Sequence, residues 1–298
     1  MTKVPKKRAS GSVLLSRHRL KPPTQSGSAA AKPGSTASLS SKAGRTLIRA
    51  HHTLQKRLAQ ALSKNDHEAA AKIRVEIEAS GGLEKYQAAS INGQSSQRGG
   101  DSSKILMQWF DEDKALHGIK KGSLKLLEVG SLSPDNLISK SPPFTLTRID
   151  LNSQHPSIET QDFMERPLPR SEEDKFDIIS LSLVLNYVPD PVIRGEMLRR
   201  TTQFLRAPKE GETETHFPSM FLVLPAPCVT NSRYLTEGRL KEIMESLGYV
   251  LVKRKLSPKL IYGLWRLDDA EAAKKKTRWK KEEVNSGQQR NNFAVTMK

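Results

Sequence analysis

Apolar residues recur every three to four positions between Arg45 and Glu78, the spacing that places them on one face of a helix. The series breaks at Lys64–Asp66 and stops at Gly81–Gly82, where glycine favours a helix end. A further apolar helix is expected to begin near Asp101, whose carboxylate, with the two serines that follow, can cap it. The pattern therefore predicts a small helical region ahead of residue 122.

From Gly122 onward the apolar runs become short and continuous, and they alternate with turns and helical stretches. Continuous apolar strands separated by helices are typical of a parallel sheet covered on both faces, whereas two adjacent strands around a tight turn are typical of an antiparallel edge. The predicted strands are Leu124–Gly130, Phe144–Leu151, Ile158–Phe163, Phe176–Leu183, Met220–Pro227 and the two runs 249–256 and 259–267, and the predicted helices are Pro191–Leu205 and Tyr234–Leu247. The fold prediction is an α/β fold with a parallel sheet closed by a hairpin.

The positive charge of the chain, a net +17 at pH 7, is concentrated at its two ends. Residues 1–65 hold 14 Lys or Arg and no Asp or Glu, and residues 266–298 hold nine basic and five acidic residues, which leaves residues 66–265 close to neutral. A polycationic arm on a near-neutral domain favours binding to a nucleic acid, because each neutralised phosphate releases counterions. A tail that only keeps the protein soluble is the alternative.

The cysteine and histidine content narrows the class of protein. Cys228 is the single cysteine, so no internal disulfide can form, and there is no apolar run of about 18 residues to span a membrane. We therefore expect a soluble intracellular protein. The histidines His51, His52 and His67 lack Cys or carboxylate partners at metal-ligand spacing, so we expect them to pack on helices or face solvent, and we expect no metal site.

Two residues at strand ends fit a cofactor that contains a nucleoside. Gly130 closes the first predicted strand, and a glycine there lets the backbone approach a nucleoside closely. Asp150 closes the second strand, where a carboxylate can accept hydrogen bonds from both ribose hydroxyls. The loop after Gly130 lacks the G-x-G-x-x-G pattern that would cradle a pyrophosphate. The sequence therefore disfavours NAD and favours S-adenosyl-L-methionine, which carries no phosphate.

The ends of the third and fourth strands supply further candidates. Asp162 could accept a hydrogen bond from an adenine amino group, with Phe163 packing on the ring or on the pocket wall. Ser182, Asn186 and Tyr187 follow the fourth strand, beside the place where such a sheet holds the transferable methyl group, and are predicted to line the acceptor pocket. The alternative is that Tyr187 packs in the core and that Asn186 caps a helix.

With these pieces assembled, the chain resembles the fungal family of base methyltransferases that modify adenine N1 in 25S ribosomal RNA. The resemblance runs from about Ser41 to Leu267, and its more specific parts are Tyr86–Trp109 and Leu185–Pro191. The matching blocks are Tyr86–Trp109, Leu126–Asn136, Thr147–Phe163, Phe176–Leu198 and Phe221–Thr236. The resemblance implies a Rossmann-like class I S-adenosylmethionine methyltransferase sheet in a protein of the nucleus and nucleolus.

The resemblance implies that Gly130 and Asp150 contact the cofactor. The full set of candidate cofactor residues adds Glu128, Leu151, Asp162, Phe163 and Ser182. Asn186 and Tyr187 are the candidates for catalysis. A general base is not needed, because the in-plane lone pair of adenine N1 can attack without prior deprotonation. The block Tyr86–Trp109 either contacts RNA or folds over the cofactor.

Other functions remain open at this point. Animal relatives resemble S-adenosylmethionine sensors, so a non-catalytic sensor and an RNA-binding assembly factor are the alternatives to a methyltransferase. The expected partners are ribosomal RNA in the pre-ribosome and nuclear import receptors that would read the basic clusters Lys6–Arg8 and Lys274–Lys281, and we expect a monomer with no membrane association. The expected parts of the chain are a disordered basic arm (1–43), a helical lead-in domain (44–121), the methyltransferase domain (122–268) and a basic flexible tail (269–298).

Overall fold

A computed structural model describes residues 41–82, 84–86, 88–89, 100–153, 155–209, 215–275 and 277–298. The predicted basic arm, up to residue 40, therefore lies outside the described residues, as do residues 90–99 of the Tyr86–Trp109 block. The described residues form one compact unit around a single sheet.

The sheet has seven strands in the order β3-β2-β1-β4-β5-β7-β6. The strands are β1 (Leu124–Val129), β2 (Phe144–Asp150), β3 (Glu159–Thr160), β4 (Ile178–Ser182), β5 (Ser219–Pro225), β6 (Tyr249–Leu256) and β7 (Leu260–Leu267). The first five strands pair in parallel, and β7 is antiparallel to both β5 and β6. The predicted parallel sheet closed by an antiparallel hairpin is confirmed.

Helices precede the sheet and connect its strands. They are α1 (Ser41–Ser63), α2 (His67–Ala79), α3 (Ser103–Glu112), α4 (Pro191–Phe204), the short α5 (Pro227–Thr230) and α6 (Glu237–Ser246). Polar side chains set several starts: Asp66 accepts from Ala69 N at 3.0 Å, and Thr236 accepts from Arg239 N at 3.0 Å. The cap at Thr236 explains why α6 begins after the predicted Tyr234. In the described part of the chain, no helix is both long and apolar enough to cross a membrane.

Both faces of the sheet are buried. Successive side chains of β5 point in opposite directions, so they pack in two separate cores. Met220, Leu222 and Leu224 pack in a core with α4 and α6, while Phe221 and Val223 pack in a second core with α3. The hairpin of α1 and α2 has a hydrophobic cluster of its own, formed by Ala61, Ala70, Ile73 and Ile77. The strands are therefore rigidly held, and their carboxyl ends form a fixed edge.

The C-terminal segment differs from the flexible tail expected over residues 269–298. Phe293, Val295 and Met297 are buried in the core beside α4 and α6, and Trp279 forms an antiparallel bridge with Met297. The backbone can lie this close to α4 because Gly195 has no side chain: a Cβ there would sit 2.0 Å from Thr296 O. The expectation of a flexible tail was wrong because the alternating apolar residues outweigh the charge of the lysines before them.

Candidate active site

The carboxyl ends of β1 and β4 form the point at which the strand order reverses. From β1 the chain adds β2 and β3 on one side, and from β4 it adds β5 and the hairpin on the other. Open parallel sheets bind ligands in the crevice that such a reversal leaves at the carboxyl edge. Gly130 follows β1, and Ser182 ends β4. The fold therefore places these two predicted site residues at the preferred ligand edge.

Gly130 adopts a backbone conformation that favours glycine. Its φ is +75°, and its amide donates to Ile149 O at 2.8 Å, so the turn after β1 is tied to the end of β2. A Cβ added at Gly130 would lie 2.4 Å from Cγ2 of Val184 in the loop after β4. The missing side chain thus lets Val184 pack directly against the turn after β1, so that the two strand ends lie close together.

Glu128 lies at the end of β1, deep in the protein. Oε2 accepts from Ser131 Oγ at 3.0 Å, Oε1 accepts from Asn136 Nδ2 at 2.5 Å, and Arg148 Nε lies 3.7 Å from Oε2. Burial raises the pKa of Glu128 to about 7, against the opposing effects of Ser131 and Arg148. Both carboxyl oxygens bind protein groups, so Glu128 shapes the loop after β1.

Asp150 ends β2, and its carboxylate is half-buried. One oxygen accepts from Asn152 N at 2.8 Å, and burial raises the pKa of this carboxyl group. Donors from a ligand would offset that cost of burial. Leu151 beside it has a side chain that is 70% exposed. A carboxylate that can accept hydrogen bonds and an uncovered apolar side chain therefore lie together at this strand end.

The structure separates the two candidates that follow β3. Asp162 is half-buried and accepts from Met164 N at 2.7 Å, so it stabilises the turn after the strand. Phe163 is 2% exposed and packs on Phe204 of α4, with ring centroids 5.2 Å apart. The ring of Phe163 therefore lies in the core, and its predicted packing on the adenine ring or on the pocket wall stays a prediction. The sequence pattern does not distinguish an aromatic ring at a pocket wall from one in the core.

The loop after β4 carries backbone strain and a contact to α3. Leu183 has a φ of 58°, an uncommon conformation for a residue with a side chain, and such strain clusters at functional sites. Ser182 Oγ lies 2.8 Å from Ser102 Oγ, just before α3. The loop and the start of α3 therefore meet at the edge where Gly130 lies.

Asn186 and Tyr187 lie in the same loop and have contrasting environments. Asn186 Oδ1 is buried and has no hydrogen-bond partner among the residues that the structure describes. The Tyr187 ring stacks on His52 of α1, with centroids 4.4 Å apart and planes at 28°, and it meets Tyr86 edge-on at 6.0 Å. A buried acceptor without a partner has a free-energy cost, and a ligand donor would remove it.

Sequence reasoning missed how the start of α3 contributes to this edge. Asp101 Oδ1 caps α3 through Ser103 N at 2.8 Å, and its Oδ2 accepts from Leu137 N at 2.5 Å. Ser103 Oγ accepts from Ile138 N at 3.2 Å. This end of the Tyr86–Trp109 block therefore fixes the loop after β1. Its polar composition was a signal, but the pairing depends on residues some 35 positions away.

The two histidines of α1 pack on aromatic rings. His51 stacks on Tyr86 with centroids 4.4 Å apart, and His52 stacks on Tyr187. Among the described residues, no three His, Cys, Asp or Glu side chains are grouped to hold a metal ion. The sequence could not show which rings the histidines meet.

Two cavities lie away from this edge. One of about 290 Å³ lies between α6 and the C-terminal strands, where Leu222, Leu251 and Trp265 line it. Another of about 370 Å³ lies beside Arg166–Arg170 and Phe204. Neither is lined by the predicted cofactor residues, and the chemistry of the strand ends, rather than cavity size, identifies the candidate site.

Comparison with known proteins relates the chain to RNA methyltransferases. A curated relative from Schizosaccharomyces pombe (strain 972 / ATCC 24843), named 25S rRNA adenine-N(1) methyltransferase, is 40% identical over 255 residues, which are 85% of this chain and 90% of the relative. One from Saccharomyces cerevisiae (strain ATCC 204508 / S288c), named 25S rRNA (adenine(2142)-N(1))-methyltransferase, is 42% identical over 218 residues, which are 73% of this chain and 60% of the relative.

Solved structures show a more distant likeness. Magnesium protoporphyrin IX methyltransferase from Synechocystis PCC 6803, with bound SAM, matches with a TM-score of 0.41 and 11% identity, covering 61% of this chain and 84% of that one.

The family model described as 25S rRNA (adenine(2142)-N(1))-methyltransferase, Bmt2, matches residues 71–295, three quarters of the sequence. The chain belongs to the Bmt2 family of 25S rRNA (adenine(2142)-N(1))-methyltransferases.

Proposed function

We propose that this protein transfers a methyl group from S-adenosylmethionine to N1 of an adenine in large-subunit ribosomal RNA. The observation that carries the proposal is its membership of the Bmt2 family, whose matched region contains both strand ends of the candidate site. The relative of which it covers 90% is named for this activity. The geometry of the carboxyl edge supplies a role for each residue in that reaction.

Gly130, Asp150 and Leu151 would hold the cofactor. The left-handed turn at Gly130 would let the cofactor approach the backbone, and the half-buried carboxylate of Asp150 is suited to accept from ribose hydroxyls. Leu151 offers apolar surface for the adenine ring. Once bound, the cofactor supplies an electrophilic methyl group on its sulfonium. Glu128 and Ser182 would act through the shape of the loops that their hydrogen bonds hold.

Asn186 and Tyr187 would receive the target base. Adenine N1 needs no general base, but it lies on the Watson–Crick edge, so the base must be unpaired or flipped out of its stack. Asn186 Oδ1, buried and without a partner among the described residues, can accept from the exocyclic amino group next to N1. The Tyr187 ring supplies a stacking surface. Together they orient the N1 lone pair toward the methyl group.

The proposal is tested by separating cofactor binding from methyl transfer. Asp150→Ala should weaken S-adenosylmethionine binding at least about tenfold, the loss expected for hydrogen bonds to a charged group, as measured by isothermal titration calorimetry. Asn186→Ala should bind the cofactor normally and methylate an unmethylated large-subunit rRNA transcript about tenfold or more slowly, as measured by mass spectrometry of the nucleosides.

Asp111→Ala is the matched control, because Asp111 is an exposed carboxylate on α3. It should change neither quantity. Cofactor affinity that is the same in the Asp150 variant as in the control would remove the basis for this cofactor site. Cofactor binding without any transfer to rRNA by the unmodified protein would favour the sensor function instead.

The basic arm and the lead-in helices would present the RNA. Residues 1–43 carry much of the excess positive charge, and the helical part, 44–121, connects this arm to the catalytic edge. We place the reaction in the nucleolus, after entry through import receptors that read the basic clusters. Removing residues 1–40 should weaken rRNA binding and flatten its dependence on salt concentration, since fewer counterions are then released.

A further inference from the structure

Four rings from three parts of the chain form one cluster next to the acceptor loop. We call His51, His52, Tyr86 and Tyr187 the ring cluster. His52 lies on Tyr187 with centroids 4.4 Å apart and planes at 28°, and His51 lies on Tyr86 at 4.4 Å and 18°. Tyr86 closes the cluster with an edge contact to Tyr187 at 6.0 Å. A helix outside the sheet therefore covers one face of the residue proposed to stack on the target base.

His52 is chemically similar to the ligand that this face would bind. Burial, followed by the charges of His51 and Lys56, lowers the pKa of His52 to about 4, so the imidazole is neutral at physiological pH. A neutral, flat, nitrogen-containing ring stacked on a phenol ring has the geometry that a nucleobase adopts on an aromatic side chain. The Tyr187 ring is largely buried, so a base can reach the covered face only if His52 leaves it.

The α1–α2 hairpin can move without losing its own packing. The hydrophobic cluster of the hairpin contains only residues of these two helices, and Arg57 pairs with Glu76 across it at 2.8 Å. Separating the hairpin from the acceptor loop would therefore break ring contacts but leave the hairpin folded. The ring cluster is therefore one contact that such an opening must overcome.

Lys56 follows His52 by one helical turn, lies on the same face of α1 and is exposed. Its ammonium can attract a phosphate of the RNA next to the ring cluster.

We propose that His52 occupies the place of the target adenine on the stacking face of Tyr187 in the free protein. When RNA binds, His52 leaves this face and the base stacks there instead. This inference rests on the proposed function, since it assumes that Tyr187 stacks on the substrate. It adds to that function a residue outside the methyltransferase sheet that controls access to the acceptor pocket.

The first test compares His52→Ala with His51→Ala. Both variants remove one stacked imidazole from the same helix, but only the first uncovers Tyr187. His52→Ala should lower the KM for an unmethylated large-subunit rRNA transcript about two- to tenfold, the contribution expected of one aromatic pair, while His51→Ala should change it less than twofold. His52→Phe, which keeps a ring over Tyr187, should not lower the KM.

The second test does not depend on catalysis. Diethyl pyrocarbonate modifies accessible histidines, and mass spectrometry locates the modified residue. Adding the rRNA transcript should increase modification of His52. Tetranitromethane should nitrate Tyr187 faster in His52→Ala than in the unmodified protein or in His52→Phe.

The outcomes separate the inference from the proposed function. The inference would be overturned if the KM rose in His52→Ala and if His52 of the unmodified protein stayed protected from diethyl pyrocarbonate when RNA binds. His52 would then be a fixed wall of the pocket. A KM that does not change, with equal nitration of Tyr187 in all variants, would overturn the inference as well. Absence of rRNA methylation by the unmodified protein would instead refute the proposed function, and the nitration rates would still report whether His52 shields Tyr187.

Discussion

The close packing of Val184 against Gly130 provides the sharpest quantitative prediction. Replacing Gly130 by alanine has two costs: the left-handed backbone conformation, about 1–2 kcal/mol for a residue with a Cβ, and a contact to Val184 Cγ2 at 2.4 Å that must relax by about 1 Å. Overpacking of this kind costs about 1–3 kcal/mol. Gly130→Ala should therefore lower the free energy of unfolding by about 2–5 kcal/mol.

Gly118 offers a matched control for the backbone cost. Its φ is also +75°, but a Cβ there would meet nothing within 4 Å. Gly118→Ala should cost only about 1–2 kcal/mol. The difference between the two alanine variants, measured by urea unfolding followed by circular dichroism, isolates the contact to Val184.

A second substitution checks the origin of that difference. In a Val184→Ala background, Gly130→Ala should cost less than it does alone, because the methyl group that it meets is gone. Calorimetry should also show weaker S-adenosylmethionine binding for Gly130→Ala. Equal destabilisation by Gly118→Ala and Gly130→Ala, with no relief from Val184→Ala, would refute the idea that Val184 leaves no room for a side chain at Gly130.

Two further predictions concern buried groups. The pKa of Glu128 is raised from 4.5 to about 7 in the folded protein, so its stabilising contribution is present below pH 4.5 and is lost as the pH rises through 7. Between pH 4.5 and 8, the unmodified protein should therefore lose up to about 3 kcal/mol of stability through Glu128, and Glu128→Gln should not show this loss. Urea unfolding at each pH measures the difference, and the same pH profile in both proteins would contradict the prediction. Phe293→Ala should lower the free energy of unfolding by about 3–5 kcal/mol, because this buried ring packs in the core with the Arg194 guanidinium 4.2 Å from its centroid. Val284→Ala, at an exposed site of the same segment, is the control and should lower it by less than about 0.5 kcal/mol. Equal effects of these two alanine substitutions in thermal unfolding would show that the segment does not contribute to the core.

The central strands and the strand-end candidates could be predicted because their signals are local. A continuous apolar run such as 124–129 is buried on both faces, and the residue that follows it must lie at the carboxyl edge. Gly130 and Asp150 could be placed together for that reason alone. The prediction of a parallel sheet needed no knowledge of which helix covers which face.

The ring cluster and the C-terminal segment could not be predicted in the same way. His52 meets Tyr187 across more than 130 residues of sequence, and nothing near either residue marks the other. The lysines near the segment around Phe293 favour the prediction of a flexible tail. The position of this segment depends instead on the absence of a side chain at Gly195. The sequence around Phe163 likewise does not show whether its ring lies in the core or at a pocket wall. That depends on its contact with Phe204, which is distant in sequence.

The contact between Gly195 and Thr296 has a consequence for the order of folding during synthesis. One face of α4 is completed by residues that the ribosome makes only after all seven strands. During translation, the nascent domain must therefore hold α4 with part of its apolar surface uncovered, and cooperative closure waits for the last segment. Proteolysis of stalled nascent chains should find this helix accessible until Phe293–Met297 has emerged.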